Sequence, residues 1–176
     1  MLDVIVSSET RVKLLIKFFL NNGNRSYLKE LEKDYGVTKH ILSSELANLE
    51  KAGLLMSETE SKRRYYTANH EHPFYNEIVS IVRKSTGIDQ IIRNVISRAG
   101  DLKSAWITGN FARGIDSDTI ELVLEGHDID TNYIDTLVKK AEKIINRKII
   151  CVILQSGHAK YFLQDRDTLL IWTAEE

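Results

Sequence analysis

The chain has 176 residues, of which 43% are hydrophobic, and a formal net charge of −1 at pH 7. This length and composition suit one large or two small domains with a proper core. The charge excludes a protein that is basic overall, and no apolar run reaches the roughly 20 residues that a membrane helix needs. We expect a cytoplasmic protein with no membrane partner, because the first residues also lack the layout of a signal peptide.

The first third of the chain predicts three short helices. Ser7 and Ser8 are capping residues that precede an apolar face with helical spacing, and the pattern stops at Asn22-Gly23. We therefore expect the first helix over about 8–21. Its inward residues are Val12, Leu15, Ile16, Phe19 and Leu20.

Two further helices follow and are separated only by the segment YGV. The first is predicted to be capped by Ser26 and to end at Gly36. The second is predicted to be capped by Thr38 and to end at Gly53. Their inward residues are Leu28 and Leu31, and then Ile41, Leu42, Leu46 and Leu49. A turn this short joins the helices of helix-turn-helix units.

A basic hairpin is predicted directly after these helices. Two alternating segments, Leu54–Glu58 and Arg64–Ala68, flank a polar tip that contains Lys62 and Arg63. A helix-turn-helix followed by a basic hairpin is a winged helix, which we assign to residues 1–70.

The polar residues of this domain suit double-stranded DNA. Hydroxyl, amide and amine groups read base edges or bind phosphates, and basic hairpin residues add salt-dependent affinity. The candidate DNA-binding residues are Thr38, Lys39, His40, Ser43, Ser44 and Asn48 on the third helix, Lys62, Arg63 and Arg64 on the hairpin, and Arg25 and Lys29 before it. The alternatives are a solvated polar face and a winged helix that binds a protein.

Residues 8–68 resemble the winged-helix repressors of the ArsR and MarR type. The resemblance lies in "YLKELEKDYGVTKHILSSELANLEKAGLL" and the following "KRRYYTAN", and in particular in the ending "LANLEKAGLL" of the third helix. It implies a sequence-specific transcriptional regulator that binds DNA through this helix.

Residues 71–87 predict a connecting helix that begins near Pro73, the only proline. Its apolar spacing includes Phe74, Ile78, Ile81 and Val82, and a second amphipathic helix starts at Ile88. These stripes either pair two subunits or pack within one chain. We favour a homodimer, which would place two recognition helices about one DNA turn apart.

Residues 88–176 predict an α/β domain. The segments "SAWIT", "TIELVLEG", "KIICVILQ" and "TLLIWTA" read as strands, and they alternate with a helix at "NYIDTLVKKAEKIINR" and with short helices at "GNFARG" and near "GHAKYFLQ". The inward residues of the long helix are Ile134, Leu137, Val138, Ala141 and Ile145. Cys151 lies within a strand pattern and is expected to be a buried thiol.

The stretch "TGNFARGIDSDTIELVL" resembles the minimal nucleotidyltransferases of the polymerase-beta-like superfamily. That family carries Gly-Ser after its first strand, Arg-Gly a few residues later, and Asp-x-Asp-Leu on its second strand. The corresponding residues here are Gly109-Asn110, Arg113-Gly114 and Thr119-Ile120-Glu121-Leu122. The resemblance implies a small nucleotidyltransferase-like domain with a mixed sheet.

The carboxylates that this family needs are largely missing. Two Mg²⁺ ions require a pair of aspartates on one strand and a third carboxylate on the next. Thr119 replaces the first aspartate, Glu121 replaces the second, and "KIICVIL" contains no acid. Asp116 and Asp118 are expected in the loop before the strand. We therefore predict no metal site, no cofactor and no catalytic activity.

The same stretch also permits a remnant of the phosphate site. Gly109, Asn110, Arg113 and Gly114 could still bring backbone amides and a guanidinium to an anion, although the glycines can equally serve the turn alone. The whole pattern predicts an α+β and α/β chain, a winged helix-turn-helix followed by a nucleotidyltransferase-like domain for sensing, docking or dimerisation. A nucleotide or a protein could be its effector. The rival prediction is an active Mg²⁺-dependent nucleotidyltransferase that modifies a protein, RNA or small-molecule hydroxyl.

Overall fold

The computed structural model describes residues 6–21 and 23–174, and the chain divides into two compact units after Ser85. Asn22, at the predicted end of the first helix, lies outside the described residues. The segment predicted as a connection, residues 71–87, is grouped almost entirely with the first unit. None of the described helices combines the length and apolarity required to cross a membrane.

The first unit has the element order of a winged helix-turn-helix. Its elements are α1 (Glu9–Phe19), β1 (Ser26–Tyr27), α2 (Leu28–Tyr35), α3 (Lys39–Lys51), β2 (Leu55–Glu60), β3 (Arg63–Ala68) and α4 (Tyr75–Thr86). The strands form an antiparallel sheet in the order β1-β3-β2. The predicted helices and hairpin are therefore present, and the hairpin directly follows α3.

The apolar faces of three helices supply most of the core of this unit, and the hairpin and α4 add Leu55, Ala68 and Val82. Leu14 and Phe18 of α1, Leu31 of α2, and Leu42 and Leu46 of α3 are completely buried. Residues three or four apart lie on the same side of a helix, so each helix turns one face inward. Burial of such a side chain contributes about 1.5–3 kcal/mol, which makes these contacts the main stabilising interaction of the unit.

A glycine ends α3, and a tight two-residue turn joins the strands of the hairpin. Gly53 has a φ of 75° and donates to the Glu50 carbonyl, while the Leu54 N–H donates to the Leu49 carbonyl. This pair of reverse hydrogen bonds is the Schellman ending, which confirms the predicted glycine stop. Ser61 and Lys62, with φ values of 49° and 65°, form the two-residue hairpin turn.

The predicted cap at Ser26 is wrong. Ser26 is a buried residue of β1 that pairs with Tyr66, and its hydroxyl donates to Glu30 Oε2 at 2.6 Å. Tyr27 occupies the N-cap position of α2. Thr38 does occupy the N-cap position of α3, but its side chain makes no capping hydrogen bond within the described residues. The two-residue strand was missed because it depends on pairing with a distant strand.

A buried ion pair joins α1 and α2. Lys17 Nζ lies 3.5 Å from Asp34 Oδ2, and the two side chains are only 6% and 12% exposed. Two charges removed from water together are tolerated, whereas either charge alone at such a site is strongly unfavourable.

The second unit is an α/β domain with a mixed sheet, as predicted. Its elements are α5 (Ile88–Asn94), a 3-10 turn (Ile96–Arg98), β4 (Leu102–Thr108), α6 (Gly109–Ala112), β5 (Thr119–Gly126), α7 (Thr131–Ile145), β6 (Lys148–Gln155), α8 (Ala159–Phe162) and β7 (Thr168–Thr173). The described strands lie in the order β6-β5-β4-β7, with β5 and β6 parallel and the other pairs antiparallel.

The side chains of β5 alternate between a face that is buried in the core of this unit and the opposite face of the sheet. Ile120, Leu122 and Leu124 are completely buried, and α7 contributes Ile134, Leu137, Val138 and Ala141 to the core, as predicted. Successive side chains of a strand point to opposite faces. Thr119, Glu121 and Glu125 therefore share the other face of the sheet.

Glu125 ties the short helix α8 to the sheet. Its Oε1 accepts from the backbone N–H groups of Gly157 and Ala159 at 2.8 and 3.0 Å, and its Oε2 accepts from the Ser104 hydroxyl at 2.9 Å. Burial raises the pKa of this carboxyl, but hydrogen bonds from Ala159, Ser104 and Gly157 together outweigh burial and leave the pKa below its ordinary value. Glu125 is therefore ionised at neutral pH and already has several partners.

The buried ion pair gives a direct test of the first unit's packing. We expect Asp34→Ala to lower the free energy of unfolding by roughly 3 kcal/mol, because the Lys17 ammonium would remain buried without its carboxylate. Urea denaturation followed by circular dichroism measures this change. Glu9→Ala is the matched control, since Glu9 pairs with Lys13 at the surface, and it should have a much smaller effect. Equal effects of the two changes would show that the Lys17–Asp34 pair is not buried in solution.

Candidate nucleic-acid interface

Helix α3 has one apolar face and one solvent-exposed face. Leu42, Leu46 and Leu49 are buried, as predicted, but Ile41 is 46% exposed. The prediction that Ile41 belongs to the buried stripe is wrong. With 3.6 residues per turn, Leu42, Leu46 and Leu49 align, whereas Ile41 is rotated about 100° away from Leu42.

The exposed face carries most of the predicted DNA-binding residues of α3. Ser43 lies at the flank and is half-buried. Solvent-exposed residues are Thr38, Lys39, His40, Ser44 and Asn48. His40, Ser44 and Asn48 lie along one side of the 13-residue helix, opposite the leucines, while Thr38 and Lys39 lie at its N-terminal end.

The first acidic residue of α3, Glu45, is neutralised by α1. Its Oε2 accepts from Arg11 Nε at 2.8 Å, and its Oε1 accepts from the Ser8 hydroxyl at 2.6 Å. Burial raises the pKa of Glu45, but the hydrogen bonds from Ser8 and Arg11, together with the charge of Arg11, leave the pKa below its ordinary value. The carboxylate therefore stays ionised and paired, and it is held beside the core.

The second acidic residue, Glu50, is neutralised by the hairpin. The Arg64 guanidinium contacts both Glu50 carboxylate oxygens at 2.6 Å, and the Ser57 hydroxyl donates to Oε1 at 2.5 Å. The hydrogen bond from Ser57, followed by the pairing with Arg64, lowers the pKa of Glu50. Both carboxylates of α3 are thus held by arginines from neighbouring elements.

The remaining basic residues near the hairpin differ in their partners. Arg25 pairs with Glu58 and Glu60 at 2.8 and 2.6 Å and stacks over Tyr65, with its Cζ 4.0 Å from the ring centre. Arg63 lies over the Tyr27 ring at 5.1 Å. Stacking holds a guanidinium in place while leaving N–H groups at its edge for other acceptors.

Of the five predicted cations on or before the hairpin, three have no carboxylate partner among the described residues: Lys29, Lys62 and Arg63. Lys62 stands at the tip of the hairpin and Lys29 on α2, both exposed to solvent. Arg25 and Arg64, in contrast, are committed to carboxylates within the unit. The prediction grouped all five cations together, and the structure separates them by partner.

In the second unit, the carboxylate of Glu121, a residue of β5, lies against the turn that was predicted to bind phosphate. Gly109 has a φ of 66°, and a Cβ at this position would overlap with the Glu121 carboxylate. Thr108 Oγ1 donates to Glu121 Oε2 at 3.1 Å. The close approach requires a glycine at 109, and a carboxylate of the chain fills the space beside it.

The other predicted members of the phosphate site lie around this turn. Asn110 and Arg113 are exposed, and Gly114 has a φ of 70° after the single helical turn of α6. The negative charge of Glu121 beside Gly109 opposes an anion at this place.

The structure does not gather carboxylates around Glu121. Asp116 and Asp118 lie in the loop before β5, as predicted, and Asp116 pairs with Arg147 at 2.7 Å. Across the parallel pair, Glu121 stands opposite Ile150, and Thr119 stands opposite Lys148. Within residues 6–21 and 23–174, no three histidine, cysteine, aspartate or glutamate side chains form a group that could hold a metal ion.

Cys151 lies on β6, as predicted from its strand pattern, but the residue is half-buried rather than buried. Burial, with a smaller contribution from the nearby negative charge of Asp135, raises the pKa of its thiol to about 12. The thiol is therefore protonated at neutral pH and is a weak nucleophile.

The arginine pairs are the features of this surface that sequence reasoning missed. Glu45 and Glu50 lie on the two flanks of the leucine stripe, which could have indicated contacts with neighbouring elements. Their partners could not be read from the sequence, because Arg11 is 34 residues from Glu45 and Arg64 is 14 residues from Glu50.

Comparison with known proteins gives no family assignment. No family model matches the chain, and no curated protein matches it. Among solved structures, reduced HlyU from Vibrio cholerae is 22% identical, with 52% of this chain and 82% of HlyU covered and a TM-score of 0.37.

Two Sulfolobus solfataricus proteins are also similar to parts of the chain. A candidate nucleotidyltransferase is 22% identical, with 56% of this chain and 88% of that chain covered and a TM-score of 0.40. The DNA-binding protein Sso10a-2 is 13% identical, with 52% and 90% covered and a TM-score of 0.35. Similarity at this level does not transfer an activity to this chain.

Proposed function

We propose that the protein is a transcriptional regulator that binds specific sites in double-stranded DNA through its first unit. In this proposal α3 enters the major groove, and His40, Ser44 and Asn48 face the base edges. Thr38, Lys39 and Ser43 lie at the start and flank of the helix, where they would contact backbone or bases.

The observation that carries this proposal is the charge state of α3. The helix contains two carboxylates, Glu45 and Glu50, and arginines pair with both of them. Unpaired negative charge on a helix that approaches phosphates closely is unfavourable, because repulsion opposes the entry of the helix into the groove. Apart from Ile41 and Ala47, the exposed face that remains is polar and neutral to basic.

The hairpin would contribute phosphate contacts that do not depend on sequence. Lys62 and Arg63 have no carboxylate partner within the described residues and stand at the tip of the hairpin and beside it. Lys29 would add a further contact from α2. Arg25 and Arg64 would act mainly by holding acids of the unit away from the DNA, with their outer N–H groups near the backbone.

We also propose a homodimer that pairs through the region of α4. Phe74, just before α4, and Ile81 within it are large apolar residues exposed to solvent, and they are separated by about two helical turns. A two-fold symmetric dimer would present two α3 helices to a palindromic site.

In the second unit, we propose a nucleotidyltransferase-like domain without catalytic activity that serves in sensing, docking or dimerisation. Glu121 is hydrogen-bonded to Thr108 and packed against Gly109, and its neighbour across the sheet is Ile150. A single carboxylate in this setting cannot clamp two hard cations, which need several oxygen ligands.

DNA selection tests the main proposal. From a random duplex pool we expect enrichment of a two-fold symmetric site with half-sites about 10 base pairs apart. A Lys62→Ala, Arg63→Ala double variant should bind more weakly. The negative slope of its log affinity against log salt should become shallower by about 0.9 for each phosphate that the variant no longer neutralises.

The control for this variant is Lys140→Ala, Lys160→Ala, which removes the same charge from exposed positions of the second unit. It should leave the salt slope unchanged. A pool without enrichment, together with salt-insensitive binding, would overturn the regulator proposal.

The role of Arg64 can be separated from direct phosphate contact. We expect Arg64→Ala to weaken DNA binding roughly fivefold, because it exposes the Glu50 carboxylate at the edge of α3. The Glu50→Ala, Arg64→Ala double variant should then recover most of the wild-type affinity in a fluorescence anisotropy titration. If the double variant binds as weakly as Arg64→Ala, Arg64 contacts the DNA itself.

Nucleotide transfer is tested separately from DNA binding. We expect no incorporation from labelled nucleoside triphosphates with Mg²⁺ into the protein, RNA or DNA ends, and no Mg²⁺-dependent shift in Tm. The proposal of inactivity fails if wild-type protein incorporates nucleotide and Glu121→Ala does not.

A further inference from the structure

Ile41 is an apolar residue on the exposed face of α3. It is the third residue of the helix and 46% exposed, whereas the neighbouring Leu42 is completely buried. The packing of the first unit therefore leaves about half of its surface open to solvent. An aliphatic side chain on an otherwise polar face gains stability only when a partner covers it.

The position of Ile41 relative to the polar residues is fixed by helical geometry. Ser44 and Asn48 follow it at three and seven residues, so the three side chains lie along one side of α3. His40 precedes it on the adjoining part of the same face. Ile41 also lies in the first turn, and the N-terminal residues of a recognition helix are those that contact base edges.

The methyl group that projects into the major groove from the base edges is the C5 methyl of thymine. The nitrogen and oxygen groups there are hydrogen-bond donors or acceptors, which an isoleucine cannot satisfy, and the remaining C–H positions, such as cytosine C5–H, offer much less apolar surface. A branched aliphatic side chain placed against a polar edge would desolvate that edge without a compensating hydrogen bond. The thymine methyl is therefore the group in the groove that matches Ile41 chemically.

We infer that Ile41 is a specificity-determining residue that packs against a thymine C5 methyl group, so that each half-site contains an A·T pair at a fixed position. This inference rests on the proposed DNA-binding function and adds to it the class of base pair that α3 selects. It also assigns a role to the one residue of the leucine pattern that the core does not bury.

The test removes only the methyl group. In the enriched half-site each thymine is replaced in turn by deoxyuridine, which keeps all hydrogen-bonding groups of the base. Replacement at one of these positions should weaken binding by wild-type protein about fourfold, whereas replacement at the others should not. A fourfold loss corresponds to about 0.8 kcal/mol, the contribution of one buried methyl group. Ile41→Ala should bind thymine and uracil at that position equally well.

Two controls make the result specific. Ile144→Ala makes the same change at an isoleucine of the second unit that is 60% exposed, and it should keep the wild-type preference for thymine. Ile41→Val retains a branched side chain and should keep part of the preference. Circular dichroism melting should show the fold intact in all variants, since Ile41 and Ile144 are exposed.

The outcomes separate this inference from the function on which it rests. If no DNA sequence is enriched, the regulator proposal itself fails. If a site is enriched but no thymine-to-uracil change weakens binding, or if Ile41→Ala retains the methyl preference, the inference about Ile41 fails and the regulator proposal stands.

Discussion

The burial of Leu42, Leu46 and Leu49 against the core of the first unit decides what α3 can do. Three leucines at spacings of four and three residues define one inward face, so every other side chain of the helix is assigned to a flank or to solvent. The polar groups offered to a partner, the placement of the two acids and the exposure of Ile41 all follow from this packing. A rotation of α3 by one residue would bury Ser43 and expose leucine.

The two acidic residues of α3 are paired with arginines from neighbouring elements. Glu45 and Glu50 emerge on opposite flanks of the leucine face, where α1 and the hairpin each supply an arginine. These partly exposed pairs add little to stability, because exposed ion pairs are screened by water and salt. Their larger consequence is the orientation of the two glutamate side chains. The arginines draw both carboxylates toward the body of the unit and away from the solvent-facing side of α3.

The sequence predicted those features that depend on local pattern. The bounds of β5 and β6 match the predicted segments, and both glycines that end α2 and α3 occupy their predicted places. Features that need a distant partner were not predictable, among them β1, which exists only through pairing with β3. The prediction that Ile41 is buried was wrong for a different reason. The segment "HILSSELANL" permits more than one alignment of its apolar residues along a helix, and only tertiary packing selects among them.

In the second unit, the packing of one carboxylate explains why the turn after β4 needs a glycine. Gly109 is required because of the close approach of the Glu121 carboxylate, which a side chain at 109 would prevent. The positions on the neighbouring strand that face Thr119 and Glu121 hold Lys148 and Ile150, a cation and an aliphatic group. Neither residue offers an oxygen ligand to a divalent cation. The Glu121 carboxylate is instead held by the hydrogen bond from Thr108, so in this unit the residues on one face of β5 and the glycine at the end of β4 depend on each other for their placement.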